Sequence, residues 1–381
     1  MTEPIRVLHV MNDLRVGGGQ QLVLNIMRRV DPERIRSGIA YVEPADEMST
    51  AFRSAGFEPV ALGRRSRSDA PAALWRLVRL IRRERIDMLH AHSSIDKHYS
   101  LMAGFLTRVP VVIHLHMPHD YGAEAATLAG KVRAGVRTAT FRLAATHYIA
   151  VSRDVYRAHV DHLNEGRVTH VPNGIPVDRF ARGFDPTSLD RSRSELGLTD
   201  RGPVLINVGA LRGHKNQRVL PAMMAQVRRD FPRARLLIVG EGDERLAIEE
   251  EIRLAGVEGA VTMLGTRHDV DALLALSDLF VFPSTAEGYG LALAEAMAAG
   301  KPGVVSDLPV HAELIEHGVT GLLVEPTPDR LASAAIEILR DPARAGAMGA
   351  AAQRFALERC DLGVTARAIT EVYEQVAARR R

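Results

Sequence analysis

Amphipathic segments of helical length alternate with short apolar runs along the first half of the chain. Apolar side chains recur at three- and four-residue spacing in residues 19–30 and 71–85, which predicts a helix in each. The strands predicted for this half are Ile5–Met11, Ile39–Val42, Asp87–His92, Val111–Leu115, His147–Ser152 and Val168–Pro172. Because strands separated by helical segments pair in parallel, the pattern predicts a parallel sheet with helices on both faces.

The second half repeats this alternation after a polar, turn-rich stretch at residues 181–202, which we interpret as an interdomain linker with one short helix at 192–196. A long helix is predicted over residues 364–379. The strands predicted for this half are Val204–Val208, Leu236–Val239, Val261–Leu264, Leu279–Phe282, Gly303–Val305 and Gly321–Val324. The sequence therefore predicts an α/β protein of two Rossmann-like, doubly wound domains that face each other across a cleft.

The domain boundaries follow from this pattern. We predict a first domain over residues 1–185 and a second domain over residues 200–363, with a C-terminal helix (364–381) that packs back on the first domain. Ligands of doubly wound sheets bind beyond the carboxyl ends of the strands. The cleft between the domains is therefore the expected site.

Composition agrees with two ordinary globular domains. The chain has 381 residues, of which 46% are hydrophobic and 25% charged, which excludes collagen-like and disordered classes. No apolar run approaches the roughly 18 residues of a membrane span, and the apolar stretch near the start is too short for a secretion signal. The single cysteine, Cys360, excludes an internal disulfide and fits a reducing compartment. We expect a cytoplasmic protein that can act at the inner face of a membrane.

Charge is distributed unevenly along the chain. Residues 1–180 carry a formal charge of +7, whereas the remainder carries −4. A basic surface can attract nucleic acid, anionic lipid or an acidic substrate. We expect peripheral contact with an anionic membrane and no nucleic acid, while solvated helix faces remain the alternative. The basic residues concerned are Arg64, Arg65, Arg67, Arg76, Arg79, Arg82, Arg83, Lys131, Arg133, Arg137 and Arg142.

A glycine-rich loop joins the first predicted strand to the first predicted helix. Gly17 and Gly18 allow a ligand to approach the backbone closely, and the helix start offers free N–H groups to an anion. The loop does not have the G-x-G-x-x-G spacing of a dinucleotide site, so a tight strand–helix turn is the alternative. Gly240 and Gly242 give a weaker signal of the same kind, for which a plain turn is favoured.

Histidines occur in pairs at the ends of two predicted strands. Strand alternation places His90 with His92, and His114 with His116, on one face each. Two such pairs could bind a metal, but their spacing matches no defined zinc pattern, so we predict no metal site. A histidine that hydrogen-bonds a substrate hydroxyl is favoured, and structural histidines remain the alternative for His90 and His114.

Lysine is rare in this chain, and Lys215 lies in the loop after the first strand of the second domain. A lysine at a helix start can neutralise phosphate as a point charge. A solvated loop lysine is the alternative. The position favours a phosphate contact.

Two glutamates bracket a glycine-bearing loop and the helix that follows it. Glu287 lies in the loop after the strand Leu279–Phe282, and Glu295 lies inside a helix that is predicted to begin near Gly290. Free N–H groups at 290–292 would lie between the two carboxylates. This arrangement suits a nucleotide sugar, which has hydroxyls at both ends and phosphate in the middle. The alternative, a helix-entry acid and a surface charge, does not explain the glycine loop.

Taken together, these motifs resemble the family 4 retaining glycosyltransferases, which have the GT-B fold of two Rossmann-like domains. The resemblance runs from residue 16 to about residue 340. Its most specific part is the E-x7-E pattern of Glu287 and Glu295 with the sequel 296–302. Weaker similarities are His147–Ser152, the Pro172-Asn173-Gly174 hinge and Gly318–Val324.

The resemblance implies roles for individual residues. It implies that Glu287 bonds the donor sugar, that Glu295 bonds the nucleotide ribose and that His116 lies beside the sugar as an active-site residue. The residues implied to hold the rest of the donor or substrate are Gly17, Gly18, Arg212, Lys215, Gly288, Tyr289, Gly290, Leu291, Ala292 and Asn173, with the base near Gly265–Arg267.

Two positions depart from the family pattern. Ala210 stands where the family usually has arginine, and Arg212, two residues on, is the expected substitute in the phosphate clamp. Gln20 stands where many members have glutamate, a difference on the acceptor side.

The implied activity is hexosyl transfer from a nucleotide sugar to an acceptor hydroxyl with retention of configuration, without a metal or other cofactor. The implied setting is biosynthesis of a polysaccharide, glycolipid or other glycoconjugate, with a carbohydrate or lipid-linked acceptor. A nucleotide-sugar epimerase of the same fold and a non-catalytic sugar-nucleotide-binding protein are the alternatives. The sequence does not indicate the donor sugar, the base, the acceptor, the linkage or the oligomeric state.

Overall fold

Two compact units make up the chain. The computed structural model describes residues 3–118, 145–198 and 202–379. One unit comprises Met1–Gly174 together with Leu362–Arg381, and the other comprises Ile175–Asp361. The chain thus enters the second unit ahead of the stretch at 181–202 that the sequence suggests as a linker.

Seven parallel strands form the sheet of the first unit, in the order β3-β2-β1-β4-β5-β6-β7. The strands are β1 (Ile5–Met11), β2 (Ile35–Tyr41), β3 (Pro59–Ala61), β4 (Met88–Ala91), β5 (Val111–Leu115), β6 (His147–Ala150) and β7 (Val168–His170). Strand β2 begins four residues earlier than the predicted strand, with Ile35 paired in register with Ile5. The prediction began too late because Arg36 and Ser37 interrupt the apolar pattern. Strand β3 was not predicted, since three residues are too few to show alternation.

Helices cover the first sheet, and the last of them comes from the far end of the chain. The helices of this unit are Gly18–Arg29, Ser49–Ser54, Ala70–Arg83, Ser94–Thr107, Arg153–Leu163 and Leu362–Ala378. The C-terminal helix Leu362–Ala378 packs against β1 and the helix Gly18–Arg29. It buries Ile369, Tyr373 and Val376, so the first unit is complete only with residues from both ends of the sequence.

Six parallel strands form the sheet of the second unit, in the order β10-β9-β8-β11-β12-β13. They are β8 (Val204–Val208), β9 (Arg235–Val239), β10 (Val261–Gly265), β11 (Leu279–Phe282), β12 (Gly303–Ser306) and β13 (Gly321–Val324). The helices are Val177–Ala181, Pro186–Glu195, Leu220–Asp230, Arg245–Leu254, Val270–Leu276, Leu291–Ala298, Pro328–Leu339 and Pro342–Arg359.

One of these helices corrects the sequence prediction. The short helix expected at 192–196 is in fact Pro186–Glu195. Asp185 caps its start by accepting a hydrogen bond from the Ser188 N–H, and Pro186 suits the first helical position. Residues that indicate a turn in the sequence therefore begin a helix here.

Both sheets reverse their strand order at one point, between β1 and β4 in the first unit and between β8 and β11 in the second. Ligands of doubly wound sheets bind beyond the carboxyl ends of the strands at such a switch point. The predicted α/β class with two Rossmann-like domains is confirmed. Within the described ranges, no helix combines the length and the apolar character needed to cross a bilayer.

Candidate functional site

An ion pair lies at the switch point of the second sheet. Lys215 ends the short turn Gly213–Lys215 after β8, and Glu287 lies in the loop after β11. The Lys215 Nζ donates to Glu287 Oε1 at 2.5 Å, and the Glu287 side chain is only 8% exposed. The ammonium also lies 5.3 Å from the centre of the Phe282 ring. The fold thus brings together the two charged residues that the sequence assigned to phosphate and sugar.

Hydrogen bonds between the two loops hold this pair in place. Asn216 has a left-handed backbone with φ of 56°, and its Nδ2 donates to the carbonyls of Pro283 and Pro326 at 3.2 Å each. The Thr285 N–H donates to the His214 carbonyl at 2.7 Å. Because these bonds fasten the β8 loop to the β11 loop, Lys215 and Glu287 are positioned before any ligand arrives.

A helix begins next to Glu287 without a side-chain cap. Gly290 precedes the helix Leu291–Ala298 with φ of 92°, a conformation that strains any residue with a Cβ. Among the described residues, no side chain caps this end. The N–H groups of Leu291 and Ala292 and the positive end of the helix dipole are therefore available to an anion.

Glu295 lies in the second turn of this helix and is partly exposed. Burial of the carboxyl group raises its pKa to about 7; Arg179 opposes this increase, and Asp271 adds to it. Within the described part of the chain, no residue hydrogen-bonds this carboxyl group. Glu295 is therefore a half-buried acceptor that a ligand hydroxyl can reach.

Tyr289 is directed elsewhere. Its side chain is buried, and its hydroxyl donates to the Cys360 Sγ at 3.6 Å. Burial raises the pKa of this phenol well above its usual value. Only the backbone of Tyr289, with that of the buried Gly288, remains for the donor-binding role that the resemblance implied.

Arg212, the expected substitute for the missing arginine, forms a different contact. Its Nη1 donates to Asp243 Oδ2 at 2.7 Å, and both side chains are exposed. Asp243 follows the Gly240–Gly242 turn. A Cβ on Gly240 would lie 2.0 Å from the Gly209 carbonyl oxygen, so glycine is needed where these two loops approach each other. The plain turn favoured for Gly240 and Gly242 matches this packing.

Polar groups follow the neighbouring strands β11 and β12, and the sequence indicates residues 303–307 and 311–313 at this edge of the site. His311 is fully buried, with Nδ1 2.8 Å from the Ser306 carbonyl oxygen. Burial lowers the pKa of His311. The hydrogen bond to the Ser306 backbone and the charge of Glu287 oppose this decrease in pKa, and the charge of Lys215 adds to it. Among the described residues, the His311 Nε2 and the Ser284 hydroxyl have no partner. No periodicity in the sequence marks Ser284, because its position follows from the loop geometry.

The region expected to hold the base carries its own ion pair. Arg267 binds Asp269 through two hydrogen bonds of 2.8 and 2.6 Å. The carbonyl of Gly265 accepts from the Gly240 N–H at 2.8 Å. The segment is thus joined to the turn after β9.

In the first unit, the glycine loop follows β1 as predicted. Gly17 has extended backbone, and the helix Gly18–Arg29 begins after it with no side-chain cap among the described residues. Gln20 Nε2 donates to Asp13 Oδ1 at 3.3 Å, and Arg15 binds the same carboxylate at 2.6 Å. Burial alone would raise the pKa of Asp13, but the contacts with Arg15 outweigh it and lower that pKa.

The other predicted residues of the first unit lie at separate places. His116 follows β5, is partly exposed, and stacks on His114 with ring centres 4.5 Å apart. Asn173 is buried and lies directly before Gly174, where the first segment of the unit ends. In the part of the chain that the structure describes, its Oδ1 has no hydrogen-bond partner. Lys131, Arg133, Arg137 and Arg142 lie outside the described residues.

Family models match both halves of the chain. Residues 16–179 match the model for Glycosyltransferase Family 4, and residues 189–355 match the model for glycosyl transferases group 1.

Two curated relatives are similar over most of their length. A phosphatidyl-myo-inositol mannosyltransferase of Mycobacterium tuberculosis is 30% identical over 305 residues, which cover 76% of this chain and 74% of that protein. A GDP-mannose-dependent monoacylated alpha-(1-6)-phosphatidylinositol monomannoside mannosyltransferase of Corynebacterium glutamicum is 29% identical over 366 residues, covering 92% of this chain and 93% of that protein.

A solved structure shares the fold. The crystal structure of Anabaena HepE in complex with UDP and glucose superposes with a TM-score of 0.84 at 23% identity. The match covers 97% of this chain and 100% of that one. At this identity the similarity shows the fold alone.

Proposed function

This chain belongs to glycosyltransferase family 4, and from that premise we propose that it transfers a hexose from a nucleotide sugar to an acceptor hydroxyl with retention of configuration. The observation that carries the proposal is the Lys215–Glu287 pair beside the uncapped helix start at Leu291. Lys215 and the free N–H groups at the helix start lie beside Glu287, and Glu295 follows in the second turn of the same helix. That order matches a diphosphate flanked by the hydroxyls of a sugar and a ribose.

Each group has a distinct part in this proposal. Lys215 and the N–H groups of Leu291 and Ala292 bind the diphosphate and stabilise the charge that it gains as it leaves. Glu287 accepts hydrogen bonds from the sugar hydroxyls. Glu295 accepts from the ribose; with a pKa of about 7, its carboxyl group can ionise near neutral pH.

The remaining predicted residues shape the same reaction. Gly290 and Gly288 keep the loop before the helix compact, and Arg212 reaches phosphate once it separates from Asp243. From the first unit we assign His116 to the sugar and acceptor. Gly17, Gly18 and Asn173 contribute backbone and amide groups.

The chemical step needs only these groups and the substrates. The bond between the anomeric carbon and the diphosphate oxygen breaks, and its electron pair stays on the diphosphate. The acceptor oxygen forms the new bond on the same face of the sugar, and its proton passes to the diphosphate. We propose no metal or other cofactor for this step, since Lys215 and a helix N-terminus supply the positive charge.

The relatives support a lipid-linked acceptor. Both named mannosyltransferases act, by their names, on phosphatidylinositol or its mannosides. We extend this only to the class of acceptor, a polyol or sugar on a lipid, and to a place in glycolipid or cell-surface polysaccharide biosynthesis. Transfer of the sugar to such an acceptor distinguishes this function from epimerisation, which needs no acceptor.

Lys215→Ala tests the donor site. We expect nucleoside diphosphate binding to weaken by about 1–3 kcal/mol, because a charge-assisted bond in a partly buried site is lost. Isothermal calorimetry with UDP and GDP measures the change. Arg218→Ala, which removes an exposed cation paired with Glu251, is the matched control and should bind normally. Equal affinity of the Lys215 variant and the wild type would contradict the proposed site.

A surface of the first unit fits contact with a membrane. The neighbouring helices Ala70–Arg83 and Ser94–Thr107 expose large apolar side chains beside arginines. The exposed fractions are 53% for Trp75, 55% for Met102, 82% for Phe105 and 44% for Leu106. Arg79, Arg82 and Arg83 are exposed on the first of these helices. Aromatic groups next to cations favour an anionic bilayer surface, and we propose that the enzyme reaches its acceptor there.

Phe105→Ser tests this surface. We expect co-sedimentation with vesicles that contain anionic lipid to fall several-fold, because the most exposed of these aromatic side chains no longer inserts. Leu246→Ser, at a leucine 79% exposed in the second unit, is the matched control. Wild-type binding to anionic vesicles that does not exceed binding to neutral ones would refute membrane contact.

A further inference from the structure

Five histidines meet inside the first unit on three adjacent strands. His9 on β1 and His90 on β4 pair in register, and His92 follows β4. The ring centres of His90 and His92 are 4.1 Å apart, and each lies 5.2–5.3 Å from His9. His114 and His116 continue the cluster from β5. The parallel sheet thus collects metal-ligating side chains that lie far apart in the sequence.

Three of these imidazoles form a buried triad with unused nitrogens. His9 and His90 are fully buried and His92 is 3% exposed. Among the described residues, His9 Nε2, His90 Nε2 and His92 Nδ1 have no hydrogen-bond partner. A buried polar atom without a partner is costly, and the chain places three within one cluster. A group that accepts a lone pair would satisfy His90 Nε2, whereas His9 and His92 face each other through their other nitrogens, Nδ1 and Nε2.

The spacing of the triad fits one ion. One ring nitrogen from each of His9, His90 and His92 lies within 4.8 Å of the other two. His9 Nδ1 and His92 Nε2 are 3.0 Å apart. Two nitrogens that each lie about 2.0–2.1 Å from a shared zinc ion are separated by roughly 3 Å or slightly more. His9 and His92 therefore already have nearly the separation of two zinc ligands, and His90 completes the set within 4.8 Å.

A second contact orients one of the ligands. His90 Nδ1 lies 2.6 Å from the Tyr373 hydroxyl on the C-terminal helix. When Nδ1 carries the proton and donates it to this oxygen, the lone pair of Nε2 faces the cluster. Metal-bound histidines are commonly held by such a bond from their other nitrogen. Tyr373 is fully buried, so this orientation is fixed by packing.

Nearby charges favour the inner histidines over the outer ones. A second triad, His92, His114 and His116, also meets the distance condition. The positive charge of Lys97 acts on His114, and it would repel a cation there. The Asp96 carboxylate accepts from the backbone N–H of His92, which both triads share, at 2.9 Å, so the charge of Lys97 is what separates the two triads.

We propose that His9, His90 and His92 bind one Zn²⁺ ion in the core of the first unit. Neutral imidazole is a preferred zinc ligand, and three histidines leave one tetrahedral position for a further ligand. The proton that His9 and His92 share moves to the other nitrogen of His9, so all three rings stay neutral. The ion joins β1 to β4 and leaves the chemical step of the second unit unchanged.

The test measures zinc on the full chain without recourse to activity. Protein freed of metal by chelator is incubated with a small excess of ZnCl₂, desalted and analysed by mass spectrometry of the elements. We expect one zinc per chain and a melting temperature several degrees higher than that of the metal-free protein. Absence of retained zinc in the wild type overturns the proposal directly.

Variants identify the ligands. His9→Gln should weaken zinc binding at least tenfold, and Tyr373→Phe, which keeps all three ligands, should weaken it about 10- to 100-fold. His162→Gln, at an exposed histidine, is the control and should retain one zinc. Loss of zinc in His116→Gln with retention in Tyr373→Phe would assign the ion to the outer triad and overturn the proposal. If His9→Gln does not fold, the number of zinc ions per wild-type chain and the zinc affinity of Tyr373→Phe still test the proposal.

Discussion

Replacing Glu287 with glutamine is expected to lower kcat by about 10²–10³-fold while nucleoside diphosphate affinity changes little. Glutamine keeps the shape of the side chain but removes the charge. In the proposed reaction, Glu287 holds sugar hydroxyls that become more acidic as positive charge develops at the anomeric carbon. Its hydrogen bonds therefore strengthen in the transition state, and only interactions of that kind raise kcat. Steady-state kinetics with the donor identified by ligand screening, together with calorimetry, separate the two effects.

Two controls make this result specific. Glu295→Gln should weaken nucleotide binding with a smaller loss of kcat, because its proposed partner is the ribose. Glu258→Gln changes an exposed carboxylate of the same unit and should alter neither quantity. An equal loss of turnover and nucleotide affinity in Glu287→Gln would contradict a role for this residue at the sugar.

The first unit is expected to lose stability steeply as pH falls from 7 to 5. Burial lowers the pKa of His9 to about 3 and that of His147 to about 4, and it depresses the pKa values of His90, His92 and His114 well below normal. In the unfolded chain these groups titrate near 6.5, so between the two pKa values the unfolded state binds more protons. Each histidine then removes about 1.4 kcal/mol of unfolding free energy per pH unit.

One buried group acts in the opposite direction. Burial raises the pKa of Asp96 to about 6, so the folded state binds this proton first and gains stability as pH falls toward 4. A single carboxyl group offsets only one of the five histidines. The net loss is several kcal/mol, comparable with the typical stability of about 5–15 kcal/mol of a whole domain.

The chain carries its own probe for this measurement. Trp75 is the only tryptophan in the sequence and lies in the first unit, so its fluorescence follows unfolding of that unit in urea. The experiment is run in chelator to keep metal out. The urea midpoint should fall sharply below pH 6.5, and His90→Gln should reduce the slope by about one proton, whereas the exposed His162→Gln should not. A constant midpoint between pH 7 and 5 would show that these imidazoles are solvated in the folded protein.

Long periodic segments and buried strands could be predicted from sequence because their apolar spacing is local. Strands such as Val111–Leu115 and Leu279–Phe282 match their predicted bounds. Elements whose signal depends on tertiary contact could not be predicted: β3 is held by pairing with β2, and the helix Pro186–Glu195 by its cap at Asp185.

The candidate site shows the same division. The spacing of Glu287 and Glu295 and the rare Lys215 can be read from the sequence, and the fold brings Lys215 and Glu287 into contact. The side-chain direction of Tyr289 follows from its contact with Cys360, and that of His311 from its contact with Ser306 at the end of β12; no spacing rule encodes either contact. His9 was missed among the histidines because its register with His90 is a property of the sheet.

The return of the C-terminal helix has a consequence for biosynthesis. Leu362–Ala378 supplies Tyr373, Ile369 and Val376 to a core that otherwise consists of residues made before Gly174. While the ribosome is still translating the second unit, the first unit lacks this helix and exposes the apolar surface that the helix covers. The second unit, which is contiguous in sequence, can fold first, and the N-terminal part can complete its core only after Leu362–Ala378 has been synthesised.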